Sequence, residues 1–428
     1  MSNPSKPLHP WELYNSRQRW VFLAVLFLIS TSNVVDRQIV TVLLEPIKAE
    51  FGVSDTMLGL LSGLSFALFY VSLGIPIARW ADHGNRKFII GLSMTVWSAF
   101  TALCGMAQNF WQLALARVGV GAGEAGAVPP AQSLLADYFP PNKRSLALAI
   151  FFMSAAAGNV LGLIVGGQIA DAYGWRMTFL IFALPGFILV PITYFVLKEP
   201  RKQLKAQKDN ETKETFKQAI SVLKRKPAFV NSVIGMVLYY TMMYGALTFT
   251  ISFIMRNYDL SLGDASTYYG AIALIGALVG NPIGGLLADK LGAKDASWLA
   301  KIPAIGFILV FPLFLLAYLA GSLNTMLIFS ALAMLIMMAA APPLFSCLHA
   351  VCGNERRATA IAIAYFFANL IGVGLGPVLT GGLSDYLATS LGLADGLRYA
   401  LVIMNFIYIP SAYFMWRASK TLTQDLEA

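Results

Sequence analysis

Long apolar stretches recur along the whole chain, each bounded by charges or turn residues. They lie at about 20–44, 57–79, 88–107, 110–136, 144–170 and 176–197, and resume at about 229–255, 267–289, 299–320, 324–350, 356–384 and 398–416. About 20 apolar residues carry a helix across the hydrocarbon core of a bilayer, so each stretch is long enough to cross once. The expected fold is an all-α membrane protein of twelve transmembrane helices in two six-helix bundles, 1–197 and 229–428, joined by a connector over 198–228. Composition points the same way. Of 428 residues, 57% are hydrophobic and 12% charged, about half the roughly 25% charge of a soluble domain, which argues against a soluble enzyme.

The net charge of +9 would suit nucleic acid if position were ignored, but ten Lys or Arg against four Asp or Glu sit between Lys198 and Lys226. A basic block between apolar runs is the mark of a cytoplasmic loop, because Lys and Arg are retained on that side during insertion. With the N-terminus inside, 25 of the 31 basic residues fall on the inner side. Four fall outside (Lys48, Arg176, Arg256 and Arg398), and Arg37 and Arg117 lie within spans. Both termini are therefore expected in the cytoplasm, with no nucleic-acid partner. Phe216, Ala219, Ile220 and Leu223 repeat at helical spacing among Lys217, Lys224, Arg225 and Lys226, predicting a short amphipathic helix on the cytoplasmic face. No short apolar core with a small-residue cleavage site opens the chain, so the first span is expected to act as its own insertion signal. Three cysteines, Cys104, Cys347 and Cys352, build no disulfide framework and read as small buried residues.

The halves resemble each other. A shift of 207 residues lays Ala81 on Ala288 and Asp82 on Asp289, and a shift of 214 lays Gly158, Gly162, Gly167 and Asp171 on Gly372, Gly376, Gly381 and Asp385. A duplicated six-helix unit explains both, and two related bundles around a central cavity are how secondary transporters expose one site to each side in turn.

After the second span stands Gly74-Ile-Pro-Ile-Ala-Arg-Trp-Ala-Asp82-His-Gly-Asn-Arg86-Lys87, echoed after the eighth by Gly285-Leu-Leu-Ala-Asp289-Lys290-Leu-Gly292-Ala-Lys294. A tight turn here can hold a carboxylate beside basic residues and a helix N-terminus, making a charged latch; simple positive-inside charge is the alternative. The two runs resemble the loop signature G-x-x-x-D-[RK]-x-G-[RK] of the major facilitator superfamily. The second copy matches closely, whereas the first has Ala78 at the leading glycine, His83 at a usual Arg and Asn85 at the second glycine. Arg117-Val-Gly-Val-Gly-Ala-Gly-Glu124 in the fourth span resembles a further signature of that superfamily. Arg117 and Glu124 are seven residues apart and share a helical face, while Gly119, Gly121 and Gly123, like Gly158, Gly162 and Gly166 of the fifth span, allow close helix packing.

The first span carries Asn33-Val-Val-Asp36-Arg37-Gln38. An ionised group in hydrocarbon costs several kcal/mol, so Asp36, Arg37, Arg117 and Glu124 are expected to face the cavity and to work there; two inert structural ion pairs are the alternative. Burial favours a neutral carboxyl and a neighbouring guanidinium an ionised one, which makes Asp36 and Glu124 the candidate proton sites. Arg37 and Arg117 can hold an anionic head group by paired hydrogen bonds. Tyr239, Tyr240, Tyr244, Met242 and Met243, Met334, Met337 and Met338, and Phe366, Phe367 and Asn369 are candidates for an adaptable apolar wall, a role ordinary packing explains equally well. No metal spacing, phosphate-binding loop or nucleophile elbow occurs, so no cofactor or metal and no enzymatic activity are expected.

With SNVVDRQIVTVLLEPIKAEFGVSD and RVGVGAGEAGAVPPAQSLLADYFPPNKRSLALAIF, the N-terminal half resembles the spinster branch of the superfamily. The resemblance implies proton-linked transport of lysophospholipids or sphingosine-phosphate-like lipids, with Asp36, Arg37, Arg117 and Glu124 in coupling and substrate binding. Asn33, Tyr240, Tyr244, Phe367 and Asn369 complete the expected substrate site. Asp82, Arg86, Lys87, Asp289, Lys290 and Lys294 form the expected cytoplasmic gate. A monomer in a bacterial inner membrane is expected, its partners a small amphipathic substrate, protons and the bilayer. A proton-coupled drug or organic-anion transporter, or an uncoupled lipid receptor or scramblase, would carry similar sequence features.

Overall fold

The computed structural model describes residues 9–202 and 216–426. Helices make up nearly all of them, and no strand occurs among the described residues. Among the described residues, ten helical stretches are long and apolar enough to cross a membrane. One of them, Pro141–Val196, has 56 residues, about 84 Å at 1.5 Å per residue and nearly three times the hydrocarbon thickness. It turns at Gly174, whose φ of 80° and ψ of 164° interrupt the helix in a region that glycine enters without a Cβ penalty. The stretch therefore supplies the fifth and sixth spans.

The fourth span, expected to be continuous over 110–136, is two helices, Phe110–Glu124 and Val128–Tyr138. Four glycines between 119 and 126, followed by Pro129 and Pro130 at the first helical turn, place the break directly after Glu124. Each piece alone is too short to count among the ten; with this broken span and the two sides of Gly174 counted separately, the described residues are consistent with the expected twelve. Polar side chains start the helices between them. Asn85 Oδ1 accepts from Phe88 N at 3.3 Å, Asn109 Oδ1 from Gln112 N at 3.0 Å and Ser261 Oγ from Asp264 N at 3.1 Å, each satisfying an amide that the helix cannot. The departure of Asn85 from the glycine of the loop signature thus has a local reason: it caps the third span.

Spans two, five, eight and eleven each contain one π-helical turn, at Leu60–Leu64, Leu161–Val165, Gly276–Gly280 and Ala368–Val373. Such turns open the ladder locally and concentrate where helices work.

The chain gathers into two compact units. The first holds Met1–Ile39, Phe69–Gly162 and Tyr173–Thr212. Its core buries Trp97, Tyr138, Phe139, Phe151 and Phe179, and the fifth span lies so close to the first that a Cβ on Gly158 or Gly162 would meet Val34 Cβ or Gln38 Cβ at 2.6 Å. Gly166, in the second unit, is buried as well.

The second unit holds Val40–Leu68, Leu163–Ala172 and Lys213–Ala428, so it joins the end of span one, the start of span two and the end of span five to the whole second half. Tyr239 stacks on Phe307 at 4.9 Å within a core that also buries Phe249, Phe253 and Tyr408. The expected connector helix occurs as Phe216–Leu223, with Leu223 buried; residues 203–215 lie outside the described residues. The connector meets each unit through its ends. Asp425 Oδ2 accepts from Ala228 N at 2.7 Å at the start of span seven, and Tyr138 in the first unit hydrogen-bonds the backbone of Lys198.

Spans two and eleven approach so closely that a Cβ on Gly59 would stand 2.3 Å from Pro377 O, whereas one on Gly74 meets nothing within 4 Å. Overpacking a rigid backbone contact costs about 1–3 kcal/mol. Gly59→Val is therefore expected to lower the thermal unfolding midpoint of detergent-purified protein by several degrees, and Gly74→Val to leave it close to that of the parent.

Candidate functional site

Four charged side chains that the sequence puts within spans one and four come together in the first unit. Arg37 Nε donates to Glu124 Oε2 at 2.6 Å, and the Arg37 guanidinium lies 4.6 Å from the centre of the Tyr70 ring. Arg117 Nη1 donates to the carbonyl of Asp36 at 3.4 Å, and Arg117 also lies within electrostatic reach of Glu124. Asn33, Asp36, Arg117 and Glu124 are all buried, whereas the Arg37 side chain is 32% exposed and is the member of the group that reaches outward. Asp36 Oδ1 and Glu124 Oε1 have no hydrogen-bond partner within 3.5 Å among the described residues.

The local sequence explains the closeness. A Cβ on Gly123 would meet the backbone of Trp97 at 2.6 Å and one on Gly119 the Phe100 ring at 2.3 Å, so glycines let span four sit against span three while Glu124 points the other way. The break after Glu124 then ends the helix at that carboxylate. Tyr70 carries no signal in sequence, being one aromatic in an apolar run.

The loop signatures take two forms. Arg86 is fully buried and makes a fork to Glu199, with Nη2 at 2.6 Å from Oε1 and Nε at 3.3 Å from Oε2. Its Nη2 also lies 2.6 Å from Asp137 Oδ2, and its Nη1 donates to Ser133 Oγ at 2.9 Å. All these partners belong to the first unit, so Arg86 ties spans three, four and the start of the connector together. Lys87 is half-buried. Asp289, Lys290 and Lys294 of the second copy are exposed. The side chain of Asp82 lies outside the described residues.

In the second unit Tyr240 and Tyr244 are half-buried with ring centres 5.7 Å apart. Phe367 is 42% exposed, while Asn369 Nδ2 donates to Tyr365 O one turn back at 2.8 Å. Met242, Met334 and Met337 are buried in the packing of the unit, with Tyr408 Oη donating to Met337 Sδ at 3.2 Å. These three methionines are core residues here, and the tyrosines and Phe367 keep exposed edges.

One polar cluster escaped the sequence. Buried Asp55, at the start of span two, receives Arg256 in a fork, Nη1 to Oδ2 at 2.7 Å and Nη2 to Oδ1 at 2.8 Å. Lys48 Nζ donates to the same carboxylate at 2.5 Å and Ser384 Oγ at 2.6 Å, while Glu45 takes Arg256 Nη2 at 2.6 Å. A cavity of about 540 Å³ beside it is lined by Glu45, Lys48, Gly52, Val53, Arg256 and Leu393. The basic residues that the charge rule leaves outside are thus held: Lys48 and Arg256 here, Arg398 by Asp395 at 2.9 Å, and Arg176 by the carbonyl of Ala107 at 3.0 Å. In sequence these charges look like loop residues, because the partners of Lys48, Arg176 and Arg256 lie in other spans.

Glu199 lies beyond the end of span six. Burial opposes its charge, but the hydrogen bonds and charge of Arg86 outweigh burial and hold its carboxyl below the ordinary glutamate value. A lowered folded-state value stabilises above the unfolded glutamate value near 4.3 and is lost as pH falls through the folded one. Glu199→Gln is expected to destabilise the protein by about 1–3 kcal/mol at pH 7, seen as a lower thermal midpoint, with the gap to the parent closing below about pH 4.

Residues 26–377 match the Major Facilitator Superfamily. An MFS-type efflux pump of Mycolicibacterium smegmatis (strain ATCC 700084 / mc(2)155) is 33% identical over 416 residues, 96% of this chain and 95% of that protein. Protein spinster homolog 3 of Danio rerio is 26% identical over 439 residues, 97% of this chain and 87% of that protein. Among solved structures, a bacterial homolog to the human lysosomal transporter Spinster, inward-facing and unoccupied, superposes with a TM-score of 0.89 at 30% identity, covering 97% of this chain and 100% of that one. The chain is a multi-pass membrane transporter of the major facilitator superfamily and belongs to its spinster family.

Proposed function

We propose that the protein is a proton-coupled secondary transporter working by alternating access, and that it moves lysophospholipid or sphingosine-phosphate-like amphipathic anions across a bacterial inner membrane with both termini in the cytoplasm. The observation that carries this reading is the ion pair of half-buried Arg37 with buried Glu124, with Asp36 and Arg117 beside it. A buried carboxylate is stable while a guanidinium holds it. If a substrate phosphate takes Arg37, whose outward edge is exposed, Glu124 loses its counter-charge and is best stabilised by a proton. Anion and proton then bind in linked fashion, the condition for coupling. One proton crossing 100 mV supplies about 2.3 kcal/mol.

In this reading Tyr240, Tyr244 and Phe367 offer aromatic edges to an acyl tail. Asn33 and Asn369 contribute polar edges, and Asp82, Arg86, Lys87, Asp289, Lys290 and Lys294 guard the cytoplasmic end. The halves 1–197 and 229–428 pivot about the site, with 198–228 as their tether.

The relative described as an efflux pump favours a second reading, export of drugs or organic anions by the same charged core. Uptake into liposomes of a lysophospholipid, an aromatic acid and a cationic dye, compared side by side, separates the two.

Asp36→Asn and Glu124→Gln are each expected to yield folded protein whose substrate accumulation no longer follows an imposed pH gradient. The parent should accumulate up to about tenfold per pH unit if one proton is coupled, and the variants should only equilibrate. Unchanged pH dependence in both would remove these carboxyls from the mechanism.

A further inference from the structure

Tyr70 of span two lies at the charged pair yet has no part in the exchange of anion and proton. Its half-buried ring has its centre 4.6 Å from the guanidinium carbon of Arg37, and that guanidinium presents Nε to Glu124 Oε2 at 2.6 Å. Three spans therefore meet on one arginine: span one supplies the cation, span four the carboxylate and span two a ring face. The Tyr70 hydroxyl also lies within hydrogen-bonding reach of Arg37. Leu68 and Phe69 before it are exposed, so Tyr70 is where this turn of the helix faces the charges.

The placement has a cause in the backbone. Tyr70 belongs to the helix Ser65–His83, which directly follows the π-helical turn Leu60–Leu64. A π turn holds one residue more than an α turn, and one residue rotates everything after it by about 100°. Held to the phase of the preceding helix Asp55–Gly59, an unbroken α-helix would point the ring about 100° away.

A guanidinium over a ring is attracted by the negative face of the aromatic quadrupole, the more so where water is scarce. Arg86 is fully buried and Arg256 nearly so, and each closes a fork on a carboxylate. Arg37 instead stays partly exposed and meets Glu124 through Nε. A long side chain of that kind loses rotamer freedom when it is fixed, and the ring offsets the loss. The attraction to a ring face also does not depend on which way the N–H groups point in the guanidinium plane, so it survives a change of hydrogen-bond partner.

We infer that Tyr70 is the positioning residue of the charged site: its ring holds the Arg37 guanidinium against Glu124 and acts as the bearing on which that group turns from the carboxylate to a ligand. With one face covered, a ligand meets Arg37 through oxygen atoms in the guanidinium plane, as a phosphate or carboxylate does, and not by stacking on that face. The part Tyr70 plays in transport rests on the proposed exchange of anion and proton.

The test is an infrared titration of the full chain in nanodiscs without substrate, following the carboxyl band that disappears in Glu124→Gln. Glu124 faces Arg37 and Asn33 of span one and Arg117 of its own span, with Asp36 within electrostatic reach, so a loosened Arg37 leaves less positive charge to keep it ionised. Tyr70→Met keeps bulk without a ring face. It is expected to raise the pH at which the band is half-developed by about half to one unit, a three- to tenfold change in proton affinity. Tyr70→Phe, which keeps the face, is expected to move it less than half as far. Fluorinated phenylalanines at position 70 change size little and weaken the face with each fluorine, so the midpoint is expected to climb stepwise with fluorine number, a series that stands even where Tyr70→Met fails to fold. A midpoint in Tyr70→Met equal to that of the parent, a shift in Tyr70→Phe as large as in Tyr70→Met, or no trend with fluorination overturns the inference. No ligand is present in these titrations, so a failure of lysophospholipid transport counts against the transport reading and leaves the role of the ring to be decided by the shifts.

Discussion

A guanidinium and a carboxylate 2.6 Å apart within a chain that crosses a bilayer constrain everything around them. Neither ion is stable alone in that setting, and removing one partner from a buried pair costs about 3–5 kcal/mol. Under the proposed coupling, the pair between Arg37 and Glu124 is exchanged for another pair: a guanidinium with an anionic ligand, and a carboxyl with a proton. The helices hold the pair in place. Span four needs its glycines to bring Glu124 in beside span one, and span five needs Gly158 and Gly162 to lie against Val34 and Gln38, next to Asp36 and Arg37. Such packing fixes the distance between the charges while leaving one edge of Arg37 exposed.

Polar contacts elsewhere divide by how easily they can be undone. Arg86 is fully buried and held by Glu199, Asp137 and Ser133, so parting them would leave an arginine without counter-charge; this is a joint within one unit. The carboxylate of Asp385 on the amides of Asp55 and Thr56 can be replaced by water on both sides. The first kind is a fixed joint and the second an exchangeable one. The membrane imposes the first by penalising loose charge, and helix ends supply the second because their amides always need an acceptor.

How far the sequence carries this account depends on the range of the signal. Spans announce themselves because twenty apolar residues in a row have few other uses, and the four intramembrane charges stand out against that background. The break after Glu124 was written in the run of glycines and Pro129-Pro130, yet hydropathy alone runs straight across it. The turn at Gly174 is marked by one glycine amid polar neighbours. Partners are a different matter. Nothing near Asp55 in sequence points to Arg256, 201 positions away, and nothing near Arg86 points to Glu199; pairing of this kind is decided by packing. Tyr70 and Met337 show the same limit from the other side, identical in pattern to their neighbours until one lies on a guanidinium and the other in a core.

The central claim is that an anionic ligand and a proton bind to one linked set of charges. Adding a lysophospholipid to the purified protein in weak buffer, with a pH indicator present, measures that linkage directly. The account predicts saturable proton uptake that tracks ligand occupancy between about pH 5 and 8. Saturable lipid binding with no proton exchanged anywhere in that range would contradict it.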